Sequence, residues 1–311
     1  MTEWVQIDEP RSASASAPVL EVVPRTRKRE PGPRPDWLKV RYRRNEAFGE
    51  VVRLKDGLDL VTVCEEARCP NIDECWSAGT ATFMLMGDIC TRRCGFCAVT
   101  KGVPRALDAN EPTKIGEATR KLGVRHAVIT SVNRDELPDG GAQHFAETVL
   151  EIRRLSPETR VELLVPDFLG DLDALDAVLD AGPHIVAHNT ETVPRLYRRV
   201  RPQAIYQRSL DVIEHISRRP DVMSKTGLML GLGESDAEVE DVMFALRDVG
   251  CQILSLGQYL SPTIKHLAVD RWVHPDTFAR LAEIGLAIGF SHVESGPLVR
   301  SSYMAHRALE K

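Results

Sequence analysis

Six short apolar segments alternate with amphipathic stretches from residue 81 onward, and this alternation constrains the fold more than any other feature of the sequence. The segments span residues 81–88, 127–132, 161–168, 184–191, 226–233 and 253–260. Near-continuous apolar strands separated by helices are typical of a parallel sheet that helices cover. We therefore predict an α/β fold, a partial (β/α)6 barrel of the TIM type, short of the eight units of a complete barrel. Functional residues are expected at the carboxyl ends of its strands.

The helical windows carry their own boundary signals, most clearly in residues 235–250. Ser235 is placed to cap the first turn, acidic residues follow it, and Gly250 stands at the end. These are the residue types that begin and end helices, so a helix is predicted between them.

The chain divides into four predicted parts. Residues 1–36 hold a SASASAP tract, six prolines and a basic run, and such a segment buries too little apolar surface to order itself, so we expect a flexible arm. The other parts are an N-terminal extension over 37–80, the partial barrel over 81–290 and a C-terminal extension over 291–311.

Composition excludes several classes of protein. The 311 residues carry a formal net charge of -5, which gives no bulk positive charge for binding nucleic acid. No apolar run is long enough to span a bilayer, and the first residues lack the features of a secretory signal. A cytoplasmic protein without nucleic-acid or membrane partners is expected.

Six of the seven cysteines fall between residues 64 and 97, in two groups of three. The downstream group is a CxxxCxxC run at the end of the first predicted strand, made by Cys90, Cys94 and Cys97. Three thiolates can hold three irons of a [4Fe-4S] cluster and leave the fourth iron open. A structural zinc ion is the alternative, but the run differs from the CxxC pairs of zinc ribbons and contains no histidine.

The CxxxCxxC run, with Phe96 before its last cysteine, resembles the signature of the radical S-adenosylmethionine (SAM) enzymes. The resemblance implies that SAM chelates the open iron and that one electron cleaves it to methionine and a 5'-deoxyadenosyl radical. It also implies that Phe96 lies near the adenine of SAM.

The upstream group, spaced CxxxxCxxxxxC, extends the resemblance to one family. With the connecting residues 76–97 and an Arg-Ser-Ser-Tyr motif at residues 300–303, the two groups resemble the lipoyl synthase family. The resemblance implies an auxiliary [4Fe-4S] cluster whose fourth ligand is Ser301, with Ser302 as the alternative. The implied ligands of this second cluster are Cys64, Cys69, Cys75 and Ser301.

Further segments of the chain resemble the parts of these enzymes that bind SAM. The residues implied as cofactor contacts are Phe96, Asn133, Asp135, Asn189, Glu191 and Arg208. A carboxylate such as Glu191 can accept hydrogen bonds from both ribose hydroxyls. Arg208 could pair with the carboxylate of SAM through a bidentate fork, or form an ordinary surface ion pair instead.

The resemblance implies a radical SAM sulfurtransferase that inserts sulfur at C6 and C8 of a protein-bound N6-octanoyl-lysine, with the auxiliary cluster as sulfur donor. The implied partners are an octanoylated lipoyl-carrier domain (E2 subunits or the glycine cleavage H protein), a flavodoxin- or ferredoxin-type reductant, and an iron-sulfur carrier for cluster repair. The alternatives are a radical SAM sulfurtransferase acting on a small molecule and an iron-sulfur electron carrier. An electron carrier is disfavoured because such proteins ligate their clusters fully with cysteine.

Overall fold

The computed structural model describes residues 31–40, 44–78 and 81–309, so residues 1–30 of the expected arm lie outside the description. No helix in these described ranges combines the length and apolar character that crossing a bilayer requires.

The described residues form nine strands, and seven of them build the main sheet. Their bounds are β1 Thr82–Leu85, β2 Ile89–Cys90, β3 Thr100–Lys101, β4 His126–Ser131, β5 Arg160–Leu164, β6 Ile185–Ala187, β7 Met223–Leu230, β8 Ile253–Gln258 and β9 His292–Gly296. The main sheet is parallel, in the order β1-β4-β5-β6-β7-β8-β9, while β2 and β3 pair separately. This topology confirms the α/β class and the partial-barrel prediction.

The sheet has seven strands rather than the six expected, because β9 joins the far side of β8. All five residues of β9 are only half-buried, and Val293 is its one strongly apolar residue. No apolar run therefore marks β9 in the sequence. The fourth predicted segment is also longer than β6, since the chain leaves the sheet after Ala187.

In the part of the chain that the structure describes, ten α-helices connect and cover the strands. They are α1 Glu46–Gly57, α2 Val63–Glu66, α3 Ile72–Ser77, α4 Glu111–Leu122, α5 Ala142–Leu155, α6 Leu172–Asp180, α7 Tyr197–Val200, α8 Tyr206–Ser217, α9 Asp236–Asp248 and α10 Pro275–Ala287. Ser235 caps α9 in a reciprocal capping box with Glu238, as its sequence predicts. Gly250, at φ 83°, lies just beyond the end of α9.

The core fills the space between the strands and the helices. Ile129 of β4, Leu163 of β5, Ile115 of α4 and Phe145 of α5 belong to one fully buried cluster. The outer edge of β1 is covered by the N-terminal extension, where the Met84 amide donates to the carbonyl of Val61 at 2.9 Å. This contact ties the segment leading into α2 to the first strand of the barrel.

Candidate functional site

A cavity of about 580 Å³ opens at the carboxyl ends of the strands. Its wall includes residues that follow β4, β5 and β6, such as Asn133, Pro166 and His188. Five of the six clustered cysteines, all except Cys75, also line it, together with Ser301 and Ser302. The two cysteine groups, separate in sequence, therefore face one shared space.

The downstream cysteine group lies on the loop that includes β2 and precedes β3. This loop is held from two sides, because the Gly95 amide donates to the carbonyl of Val200 at 2.8 Å and its carbonyl accepts from Leu267 at 3.0 Å. The Cys90 sulfur accepts backbone N–H groups from Arg92 at 3.4 Å and Asn133 at 3.3 Å. Such N–H···S bonds stabilise thiolate charge and tune the clusters that thiolates hold.

The electrostatics of this group fit an iron-sulfur cluster. Burial raises the pKa of the Cys97 thiol to about 12, and the negative charges of Cys94 and Cys90 act in the same direction. The three sulfurs are thus close enough to repel one another as thiolates. Bound iron, which is positively charged, would remove that penalty.

The upstream group has the same character. Cys64 lies on α2, Cys75 on α3, and Cys69 in the turn between them. Burial raises the pKa of Cys75 to about 12, with further contributions from the charges of Cys69 and Cys64. All seven cysteines of the chain are free thiols, so neither group is consumed by a disulfide.

A single metal ion is a poorer fit to these groups than a cluster. Over the described residues, no three His, Cys, Asp or Glu side chains are arranged to hold one metal ion. The zinc alternative thus gains no support from the geometry. The thiolates of a cubane cluster bind different irons and need not converge on one ion.

The C-terminal segment brings the serines to the upstream group. The Asn71 amide side chain donates to the carbonyl of Leu298 at 2.7 Å, and the Tyr303 hydroxyl donates to Glu74 at 3.2 Å. The first contact joins the α2–α3 region to the segment just before the Arg-Ser-Ser-Tyr motif, and the second joins it to the motif itself. Ser301 and Ser302 are therefore placed at the same wall as Cys64 and Cys69.

Asn189 links this wall to the SAM-contact residues predicted after β6. Its side-chain N–H donates to Ser301 Oγ at 2.6 Å and to the Glu191 carboxylate at 3.1 Å. The Oδ1 atom of Asn189 is buried and has no hydrogen-bond partner within the described part of the chain. An unsatisfied buried acceptor facing a cavity is suited to a ligand that donates a hydrogen bond.

Glu191 is held in an unusual backbone conformation, with φ at 67°. Its amide donates to Gly227 at 2.8 Å and its carbonyl accepts from Met229 at 2.9 Å, so β7 imposes the conformation. Burial raises the pKa of the Glu191 carboxyl, although the nearby Arg201 cation opposes the effect. Strained residues of this kind cluster at functional sites.

The remaining predicted SAM contacts divide into two sets. Phe96 and Asn133 line the cavity. Asp135 instead receives two hydrogen bonds from Arg92, at 2.8 and 2.9 Å, and Arg208 lies 3.3 Å from Asp167. Asp135 and Arg208 do not line the cavity and are engaged in ion pairs, which favours the ion-pair alternative for Arg208.

Two residues at the centre of this ion-pair network were missed by the sequence interpretation. Arg92 lies within the CxxxCxxC run and is 3% exposed, and it also donates to the fully buried Asp167 at 2.5 Å. Burial alone would raise the pKa of Asp167, but the hydrogen bond and charge of Arg92 outweigh it and lower the pKa to about 2. Since 75 residues separate the pair, no local signal marks it.

Comparison with known proteins agrees with this site. The family model of the radical SAM superfamily matches residues 84–246, which is more than half of the chain. In solved structures, methylornithine synthase has the same fold, with a TM-score of 0.53 at 13% identity over 82% of this chain and 84% of that one. The maturase HydG is similar, with a TM-score of 0.52 at 14% identity over 85% and 74%. Fold and site therefore define a radical SAM enzyme, which uses SAM and a [4Fe-4S] cluster.

Curated relatives identify the family within this class. A lipoyl synthase of Rubrobacter xylanophilus is 53% identical over 304 residues, covering 97% of this chain and 95% of the relative. Lipoyl synthases of Symbiobacterium thermophilum and Bacteroides thetaiotaomicron are each 52% identical, covering 92% and 88% of this chain and 90% and 97% of the relatives. The chain belongs to the lipoyl synthase family.

Proposed function

We propose that this chain inserts two sulfur atoms, at C6 and C8, into an octanoyl chain carried on a lysine of a partner protein. The observation that carries the proposal is that one cavity is lined by the whole downstream cysteine group, by Cys64 and Cys69 of the upstream group, and by Ser301. A substrate carbon in that cavity has access to both centres without leaving the protein.

Two bound groups would supply the chemistry. A [4Fe-4S] cluster on Cys90, Cys94 and Cys97 with SAM supplies a radical able to remove hydrogen from an unactivated carbon, and a second cluster supplies sulfide. The residues proposed to hold the second cluster are Cys64, Cys69, Cys75 and Ser301. A side-chain base cannot replace the radical, because such a C–H bond is far too weak an acid.

The chain's own residues bind and orient the reactants. Asn189 and Glu191 are proposed to hold the ribose and methionyl groups of SAM, and Phe96 and Asn133 to contact other parts of it. Arg201 fixes this segment, since it donates to the backbone carbonyl of Asn189 at 2.6 Å.

The cavity wall also suits an acyl chain. Met84, Val128 and Leu228 are among its apolar residues. An octanoyl chain gains free energy by burial against such surface, and the exclusion of water protects a reactive radical from side reactions.

Partners follow from this chemistry. The substrate is proposed to be an octanoylated lipoyl-carrier domain, of an E2 subunit or the glycine cleavage H protein. A flavodoxin- or ferredoxin-type protein would deliver electrons, and an iron-sulfur carrier would rebuild the consumed cluster.

An anaerobic assay tests the proposal. The chain is reconstituted with iron and sulfide, given SAM, reductant and an octanoyl-lysyl peptide, and the products are followed by mass spectrometry. We expect the peptide to gain two sulfurs, with two deoxyadenosines formed per product. Ser301→Ala should still cleave SAM but insert no sulfur, whereas its neighbour Ser302→Ala, the matched control, should keep insertion.

The other outcomes each point to a different protein. SAM cleavage without sulfur insertion would discard this substrate in favour of a small molecule. The absence of SAM cleavage would favour the alternative that the protein is an iron-sulfur electron carrier.

A further inference from the structure

Charged side chains of opposite sign lie in different parts of the cavity. Both lining carboxylates have internal partners: Glu162 is 1% exposed and bonds to Lys225 at 2.6 Å, and Glu191 lies beside the buried Arg201. The exposed charges of the lining are cations. We call them, together with one half-buried arginine, the basic rim: Arg34, Arg68, Lys101 and Arg300.

Four separate segments contribute the basic rim. Arg34 belongs to the segment before α1, Arg68 to the turn before α3, Lys101 to β3, and Arg300 to the C-terminal motif. The segment that carries Arg34 is anchored beside the cavity, where Trp37 packs edge-on against His274 with ring centroids 5.1 Å apart. The fold therefore brings these four cations together from separate segments, and no single basic run in the sequence accounts for them.

The basic rim has no carboxylate partner in the described part of the chain, and the internal group of opposite charge that acts on Arg300 is the Cys69 thiolate. Within the described residues, none of its three arginines has a carboxylate at ion-pair distance, and Lys101 donates to the backbone carbonyl of Cys94 at 3.2 Å. Arg34 and Arg300 are close enough for their charges to oppose each other. The chain carries a net charge of -5, so the positive charge of the basic rim is opposite in sign to the net charge of the protein.

We propose that the basic rim recognises carboxylates that flank the modified lysine on the carrier domain. This inference rests on the proposed function, because an octanoyl-lysine that reaches into the cavity brings its sequence neighbours to the mouth. Acidic neighbours would pair with the basic rim, whereas basic neighbours would be repelled. Electrostatic selection of this kind favours a carrier lysine over the many other lysines in a cell.

The test measures binding and turnover separately. Three fluorescent octanoyl-lysyl peptides of equal length carry Glu, Gln or Lys on both sides of the modified lysine. Binding to the reconstituted enzyme with SAM, but without reductant, is measured by fluorescence anisotropy. At low salt the Glu peptide is expected to bind about tenfold tighter than the Gln peptide, as several exposed ion pairs would give. At about 0.5 M salt the difference should disappear.

Variants locate the effect. Arg34→Glu and Arg68→Glu should each reduce the preference for the Glu peptide about three- to fivefold. Arg160→Glu is the matched control, because Arg160 is equally exposed but begins β5, at the opposite end of the barrel. The iron content of each variant and its SAM cleavage in the absence of peptide show whether the variant folds and binds its clusters. If Arg34→Glu does not, the neutral variant Arg34→Gln is used in its place.

Equal binding of the three peptides, or an equal loss in Arg160→Glu, would overturn the proposal. Sulfur insertion into the Gln peptide tests the proposed function on its own. Insertion without a preference for the Glu peptide refutes the basic rim alone, and a preference without insertion refutes the function alone.

Discussion

Gly257 of β8 is the position at which substitution by alanine should displace Ser301 from the upstream cysteine group. A Cβ atom there would lie 2.1 Å from the carbonyl oxygen of Val299, in the segment that leads to Ser301. Real Cβ contacts begin at about 3.0 to 3.4 Å, so the two backbones must separate by about 1 Å. Because β8 is hydrogen-bonded to β7 and β9 on both sides, we expect the C-terminal segment to move.

The expected consequence is specific to one of the two cysteine groups. A shift of about 1 Å would lengthen the 2.6 Å contact between Asn189 and Ser301 beyond hydrogen-bonding distance. Overpacking of this kind costs about 1 to 3 kcal/mol. A misplacement of about 1 Å can reduce a rate about 100-fold, so Gly257→Ala should lose most sulfur insertion while it still cleaves SAM.

Iron content and product analysis check this prediction. The wild-type chain with two clusters should hold about eight irons, and Gly257→Ala about four. Gly102→Ala is the control, since its Cβ would meet only the Ile89 side chain at an ordinary 3.4 Å. Full iron content together with normal sulfur insertion in Gly257→Ala would refute the reasoning.

Three further predictions concern the ion pairs and the SAM wall. Arg92→Met should lower the free energy of unfolding by about 3 kcal/mol, because it leaves the fully buried Asp167 with only one cation, Arg208 at 3.3 Å, besides the Leu169 amide at 3.2 Å. Urea unfolding measures this, and a loss no larger than that of Arg208→Met would contradict it. The depressed pKa of Asp167, about 2, contributes about 2 kcal/mol that is present above pH 4 and lost as the pH falls toward 2, so the stability advantage over Asp167→Asn should shrink on acidification. Glu191→Gln should weaken SAM binding about tenfold or more in equilibrium dialysis with iron content unchanged, and unaltered SAM affinity would remove Glu191 from the site.

The fold class and the candidate cluster ligands could be predicted from the sequence because their signals depend on short stretches of it, and the fold class is confirmed. The spacing of Cys90, Cys94 and Cys97 is written in eight consecutive residues, and the α/β alternation repeats over the whole barrel. Local patterns of this kind survive in a sequence because each depends only on nearby residues.

What holds these residues in place could not be predicted in the same way. The choice of Arg92 as partner for Asp135 and Asp167 depends on which loops the sheet brings together, and the sequence interpretation assigned Asp135 to SAM instead. The need for glycine at Gly257 arises from a crossing segment more than forty residues further along the chain. Neither propensity nor periodicity contains that information.

The hydrogen bond between Asn71 and Leu298 joins residues that are 227 positions apart. The ribosome therefore makes the upstream cysteines well before the C-terminal segment that packs against them. At about 5 to 20 residues per second, the ribosome makes the C-terminal segment roughly 10 to 45 s after the upstream cysteines. During that interval Cys64, Cys69 and Cys75 are present without Ser301, their proposed fourth partner. If Ser301 is a ligand of the proposed second cluster, that cluster can therefore be completed only after the whole chain has been synthesised.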